Sequence, residues 1–207
     1  MFDRRSHTIT AAGLICVIIL AGMLIRHALP LWTGTRVLLK VRPVDPRDLM
    51  RGDYVILGYP FDQVEIVDTP PAANGISSPV KVVARSDSLK QFNELQSGKE
   101  LWLQLKSAEQ ADENGLVAHV AVSISDRPEP GELNLATRLT RQVYSGDDRL
   151  WSLHTSIDAL FVQEHAGKPI EQAIRSGKSV YAEVYATSSG QARVADLIIE
   201  GKPVLKR

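Results

Sequence analysis

The sequence predicts a mainly β protein in two parts: an N-terminal transmembrane helix, then an antiparallel β-sandwich or open-barrel-like domain with one or two short helices. Three observations carry this. Ile9–Ile25, ITAAGLICVIILAGMLI, contains no charge. About eight to ten later segments alternate apolar and polar residues or are rich in β-formers, and clusters of Gly, Pro, Asp and Ser separate them. The chain has 207 residues, 44% hydrophobic and 23% charged, which suits one folded domain once the N-terminus is set aside.

The apolar run comes first. As a helix it would span about 26 Å, near the lower limit for crossing a bilayer. Arg4 and Arg5 precede it, and the positive-inside rule then places the short N-terminus in the cytoplasm and the chain after Pro30 outside. Arg26 and His27 add positive charge on the far side and oppose that assignment. Arg26 can snorkel to an interface, and Trp32 suits the headgroup level. A charged start followed by an apolar run also describes a cleavable signal peptide, but His27-Ala28-Leu29-Pro30 is a poor cleavage site and the run is long. The preferred division is residues 1–30 as stub and uncleaved anchor, residues 31–207 as an extracytoplasmic domain. A buried core helix is disfavoured because the run lacks a polar stripe.

The β segments follow in order. In Arg36–Val44, Val37, Leu39 and Val41 share one face, Arg36, Lys40 and Arg42 the other, and Leu38 breaks the pattern. Asp53–Phe61 is a second run, which Val64–Val67 extends. Thr69–Pro79 is Pro- and Ser-rich and reads as a loop. Val80–Arg85 is a short strand, and a helical turn is expected around Ser88–Leu95. Leu101–Ser107 and Leu116–Ser125 read as a hairpin closed by Asp112-Glu113-Asn114-Gly115. Arg127–Gly131 turns the chain into the Leu133–Val143 strand. Leu150–Val162 is strand-like with a break near Ile157. Pro169–Ser176 reads as a short helix with Gly177 at its C-cap. Ser179–Ala186 and Ala192–Ile199 form a last hairpin.

The stretch VDPRDLMRGDYVILGY, Val44–Tyr59, joins the first two strands and crowds Asp45, Arg47, Asp48, Arg51, Gly52 and Asp53 beside Tyr54 and Tyr59. Pro46 fixes φ and restricts Asp45, Asp48 suits an Asx turn, and Gly52 supplies a positive φ. After Gly52 the alternation puts Asp53, Val55, Leu57 and Tyr59 on one face. Turn chemistry accounts for most of these residues. A binding or catalytic rim of acids with a tyrosine is the competing reading.

GDYVILGY at Gly52–Tyr59 resembles the pattern after which the GDYXXLXY protein family is named, with Gly52, Asp53, Tyr54, Leu57 and Tyr59 on its fixed positions. The approach VDPRDLMR is similar to that family's, as are Phe161-Val162-Gln163-Glu164, Gly167-Lys168-Pro169-Ile170-Glu171 and the closing hairpin. The resemblance covers nearly all the chain after the anchor. It implies a bacterial membrane-anchored protein of a family whose biochemical function is not established, and so supports the anchor; with the charge rule above, the expected place is the bacterial inner (cytoplasmic) membrane, single-pass, with the C-terminal domain outside the cytoplasm. It further implies a multi-pass membrane protein as partner, because family members are often found beside or fused to such proteins. It carries over no catalytic residues. Glu164 and Glu171 join the motif positions as candidates whose roles are open.

Other chemistries find little support. Lys+Arg and Asp+Glu both count 24, and no basic run or nucleic-acid motif is present. The single cysteine, Cys16, lies in the apolar run, so the β domain has no thiol nucleophile and no disulfide. His7, His27, His119, His154 and His165 fall on no zinc spacing, and His119 is expected to face solvent. No hydrolase elbow, phosphate loop or dinucleotide motif occurs, so no cofactor and no metal is expected. Glu164 and Glu171 could pair as acid and base, but Glu171 better suits the first turn of its helix. Trp102 and Trp151 are expected to pack in sheets. Two functions remain: an accessory or interaction module in the membrane, or an envelope enzyme using Asp45, Asp48 or Asp53. The short tether places the domain near the bilayer, with Arg36, Lys40 and Arg42 as a basic stripe toward headgroups or a partner.

Overall fold

The computed structural model describes residues 4–42, 54–67, 79–86, 89, 97–145, 148–162 and 167–205. Helix α1, Arg4–Thr33, is the expected apolar element, and it continues through Pro30 to Thr33. Ala11–Thr33 is long and apolar enough to cross a membrane, and almost all of it lies bare of protein. Leu14, Val17, Ile18, Leu20 and Leu24 point outward on different sides. An apolar helix exposed all round is not a core helix.

One residue, Gly34, separates α1 from strand β1, Thr35–Lys40. Gly34 N–H donates to the Pro30 carbonyl (2.9 Å), and the Thr33 hydroxyl donates to that of Leu29 (3.0 Å), so the helix is closed at the point where the strand begins. Five further strands of the first half are β2 (Tyr54–Ile56), β3 (Gln63–Val67), β4 (Val80–Ala84), β5 (Glu100–Ser107) and β6 (His119–Ser125). The second half holds β7 (Leu133–Ser145), β8 (Asp148–Thr155), β9 (Ala159–Phe161), helix α2 (Gly167–Arg175), β10 (Val180–Ala186), β11 (Ala192–Ile199) and β12 (Lys202–Pro203).

Six strands close a barrel in the order β3-β4-β6-β5-β7-β8, with β8 returning to β3. The expectation of a sandwich or open barrel is thus sharpened to a closed one. Two of its pairs, β3–β4 and β4–β6, are parallel. Parallel neighbours need a long crossover, and the Pro- and Ser-rich segment after Val67 is long enough to supply it. The long β7 pairs with β5 along one edge and β8 along the other, with a bulge between Leu139 and Arg141 in the β7–β8 register.

The second layer is an antiparallel sheet, β1-β10-β11-β12. Val37 and Leu39 of its first strand, with Val41 just past its end, join Leu101, Leu103, Leu105, Leu135 and Trp151 of the barrel in one hydrophobic core. Leu38, the residue out of pattern, is buried on the opposite face against Ala118, Tyr181 and Ile198. The sheet is also tied down at its β10–β11 turn. There the Ser189 carbonyl accepts from Trp102 Nε1 (3.0 Å) and the Gly190 carbonyl from Ala136 N–H (2.8 Å). Gly190 has φ +89°, and a Cβ there would lie 2.8 Å from both Ala136 N and Trp102 Cδ1, so only glycine fits.

Several local expectations meet the structure directly. Asp112 Oδ1 accepts from Asn114 and Leu116 N–H (2.9 and 2.8 Å), closing the predicted turn before β6. Helix α2 ends in a Schellman motif: Gly177 (φ +77°) donates to the Ile174 carbonyl and Lys178 to that of Ala173. Others are corrected. Because α2 begins at Gly167, Glu171 falls beyond its first turn. Pro60–Asp62 forms a 3-10 turn, so β3 is a separate strand and not an extension of β2. His119 is half-buried, because Leu38 N–H reaches its Nδ1 (3.4 Å) across the β1–β6 contact, and burial lowers its pKa. The helical turn around Ser88–Leu95 lies almost wholly outside the described residues.

Candidate functional site

The residues of the motif meet the other family-like segments at one corner of the molecule. Strand β2 pairs antiparallel with β9, setting Tyr54 opposite Phe161, Val55 opposite Leu160 and Ile56 opposite Ala159. Helix α2 packs behind β2. A Cβ on Gly167 would meet Val162 and Val55 methyls at 3.7 and 3.8 Å, so the helix starts close against the β2–β9 pair. Ile170 and Ile174 then enter the core one turn apart.

Period-two alternation explains the fate of the motif side chains. Val55, Leu57 and Tyr59 are buried, while Tyr54 and Ile56 lie on the partly exposed side. Leu57 N–H donates to the Asp158 carbonyl (2.7 Å), and Arg42 N–H to that of Gly58 (2.8 Å). Tyr59 is the centre of the corner. Its hydroxyl donates to the Ile157 carbonyl (2.8 Å), and its ring stacks on Phe61 at 5.0 Å and 3°. Burial, then the charges of Asp62 and Asp158, push the phenol well above its ordinary pKa. A phenol so held keeps its proton: it serves as a hydrogen-bond donor and is a poor acid.

Asp62 closes the 3-10 turn. Its carboxylate accepts Tyr59 N–H (2.7 Å), while its own N–H donates back to the Tyr59 carbonyl (3.1 Å). Burial raises the Asp62 pKa; the Tyr59 N–H and Arg42, whose guanidinium lies 3.6 Å away, oppose the shift. His154 and Asp158 sit 3.6 Å apart on the outer side. This acid–base group of Arg42, Asp62, His154 and Asp158 was not anticipated. Its members come from three separate places in the chain, and only Asp62, three residues after the motif tyrosine, has a local signal.

The predicted site residues divide accordingly. Tyr54, Leu57, Tyr59 and Glu171 are placed. Asp45, Arg47, Asp48, Arg51, Gly52, Asp53 and Glu164 lie outside the described residues, so the acidic rim and the Glu164–Glu171 pair are not described. The basic stripe does not stand free: Arg36 pairs with Glu183 (2.9 Å) and Arg42 with Asp62. Among the described residues, no three of His, Cys, Asp and Glu come together as a metal set. What the corner does offer outward is aromatic. Phe161 is 82% exposed, and its ring lies 6.1 Å from that of Tyr54.

A family model described as GDYXXLXY protein matches residues 16–197. The chain belongs to the GDYXXLXY family. No curated protein and no solved structure matches it. The match spans α1 from Cys16 on, the barrel and the second sheet as far as Leu197, so the segments that meet at the corner all lie within the GDYXXLXY region. Of the lettered positions after which the family is named, Leu57 and Tyr59 are wholly interior in this chain.

Proposed function

We propose that this GDYXXLXY protein is a single-pass, membrane-anchored interaction module that engages a multi-pass membrane protein through the β2–β9–α2 corner. The exposed Phe161 beside Tyr54 carries the reading. A large aromatic that is four-fifths bare on a well-packed β strand is the kind of residue that interfaces use as an anchor. Leu57 and Tyr59 support it from below: they are committed to the core and its hydrogen bonds, so the motif scaffolds this surface.

The anchor is α1, with Arg4 and Arg5 on the cytoplasmic side of a bacterial inner membrane and the barrel outside. The enzyme alternative would rest on the acids of Asp45–Asp53 with a tyrosine. Of the two motif tyrosines, Tyr59 is interior and holds its proton, and Tyr54 lies with its ring beside Phe161 at the exposed aromatic patch, an arrangement that favours the module.

The test is extraction of the full-length protein in mild detergent, followed by mass spectrometry of what accompanies it. A stoichiometric multi-pass protein is expected. Phe161→Ser should release it and leave the melting temperature of the barrel unchanged, because Phe161 contributes little buried area. A protein that purifies alone, or a Phe161→Ser variant that keeps its company, sinks the proposal.

A further inference from the structure

A groove of about 450 Å3 runs between α1 and the body of the protein, away from the motif corner. Met23, Arg26, His27 and Pro30 line it from the helix, with Gln191 and Arg193 facing them from the start of β11. No acidic residue lines it, and neither arginine has a carboxylate partner among the described residues. The Arg193 guanidinium donates to His27 Nδ1. The groove therefore presents hydrogen-bond donors and two fixed positive charges.

Its position gives the charges a meaning. Arg26 is the first charged residue after the uncharged run that ends at Ile25. From Met23 to Pro30 the helix advances about 10 Å, and one headgroup layer of a bilayer is about 5–8 Å thick. The end of the groove at Met23 is apolar and continues onto the bare flank of α1. The end at Arg26, His27 and Arg193 is cationic. Apolar below and cationic above is the order of a phospholipid, acyl chain then phosphate.

We propose that this groove binds an anionic phospholipid, its phosphate held by Arg26 and Arg193 and one acyl chain laid along α1 past Met23. The inference rests on the reading of α1 as a membrane span. A zwitterionic lipid carries its own cation into a site that holds no carboxylate to receive it, so the site selects for net negative charge. Inorganic phosphate has the same anionic chemistry but gains nothing from the apolar end.

The experiment places the full-length protein in phosphatidylcholine nanodiscs containing some phosphatidylglycerol, releases it in mild detergent, and counts retained lipids by native mass spectrometry. Phosphatidylglycerol should be retained in excess over phosphatidylcholine. Arg26→Gln and Arg193→Gln should each lower that excess about fivefold, the factor one cation contributes at an anionic surface. Arg193→Lys should keep most of it, and Lys106→Gln, an exposed cation on β5, should change nothing. Equal retention of the two lipids, or arginine variants that behave as the parent, overturns the proposal. Displacement of the lipid by millimolar inorganic phosphate overturns it in favour of a soluble ligand. Incorporation into the nanodisc is read in the same run: a protein that stays outside refutes the membrane reading, and one that enters without lipid preference refutes only the groove.

Discussion

Removing one oxygen atom from the motif separates its structural role from a catalytic one. Tyr59→Phe keeps the buried ring and its stacking on Phe61 but deletes the hydroxyl that donates to the Ile157 carbonyl. Tyr59 and Ile157 are both completely buried, so no water replaces the lost donor. Leaving one buried carbonyl unsatisfied costs about 1–3 kcal/mol. In a domain of this size each kcal/mol moves the melting temperature by about 2–4 °C. A drop of about 2–12 °C is therefore expected, read by tryptophan fluorescence of the full-length protein in detergent, where the buried Trp151 reports on the barrel. Tyr59→Ala, which also opens a cavity, should cost about 3–5 kcal/mol. A Tyr59→Phe protein that melts within about 1 °C of the parent would refute the corner argument. If it also lost a biological activity, the enzyme reading would replace it.

Three more outcomes follow from the same packing. Gly190→Ala forces a Cβ into Ala136 N and Trp102 at a positive φ, and should destabilise by about 2–4 kcal/mol in a thermal melt, from strain and overpacking together. Asp62 has a raised pKa, so its contribution to stability is fully present below its ordinary value of 3.8 and is lost as pH rises through the folded-state value. Asp62→Asn, which keeps an acceptor for Tyr59 N–H, should gain stability relative to the parent as pH rises through that window; a constant difference across it would refute the assignment. His119 has a lowered pKa, so its contribution is present above 6.5 and lost as pH falls through the folded-state value. Melts of His119→Gln should show a smaller loss on acidification below pH 6.5 than the parent does.

The legible parts of the fold were those governed by neighbours in sequence. Alternation located Leu101, Leu103 and Leu105 in the core, Asp112–Gly115 at a turn and Gly177 at a helix end, because each depends on a few adjacent dihedrals. Barrel closure was not legible. Which strand lies beside β4 depends on a crossover, and the residues on either side of a parallel pair carry no mark of their partner. The paired arginines illustrate the same limit. Arg36 and Arg42 alternate as an exposed face would, yet Glu183 reaches the first from β10 and Asp62 the second from the 3-10 turn. At the candidate site, alternation separated the buried Leu57 and Tyr59 from Tyr54, but it could not show that Phe161 would stand opposite Tyr54. His119 was misplaced for a similar reason, since its neighbour Leu38 belongs to the other layer.

The junction at Gly34 has a mechanical consequence. With one residue between helix and strand, and with any Cβ there pressing on the Pro30 carbonyl and lying 3.0 Å from Ala186 N, the connection has no slack. In a bilayer the barrel would ride at a fixed height and turn only when the helix itself spins about its axis. Encounters with another membrane protein then become a search in two dimensions. Of the faces the barrel owns, only those at the right elevation can ever be presented, and a longer linker at residue 34 would trade that preset alignment for reach.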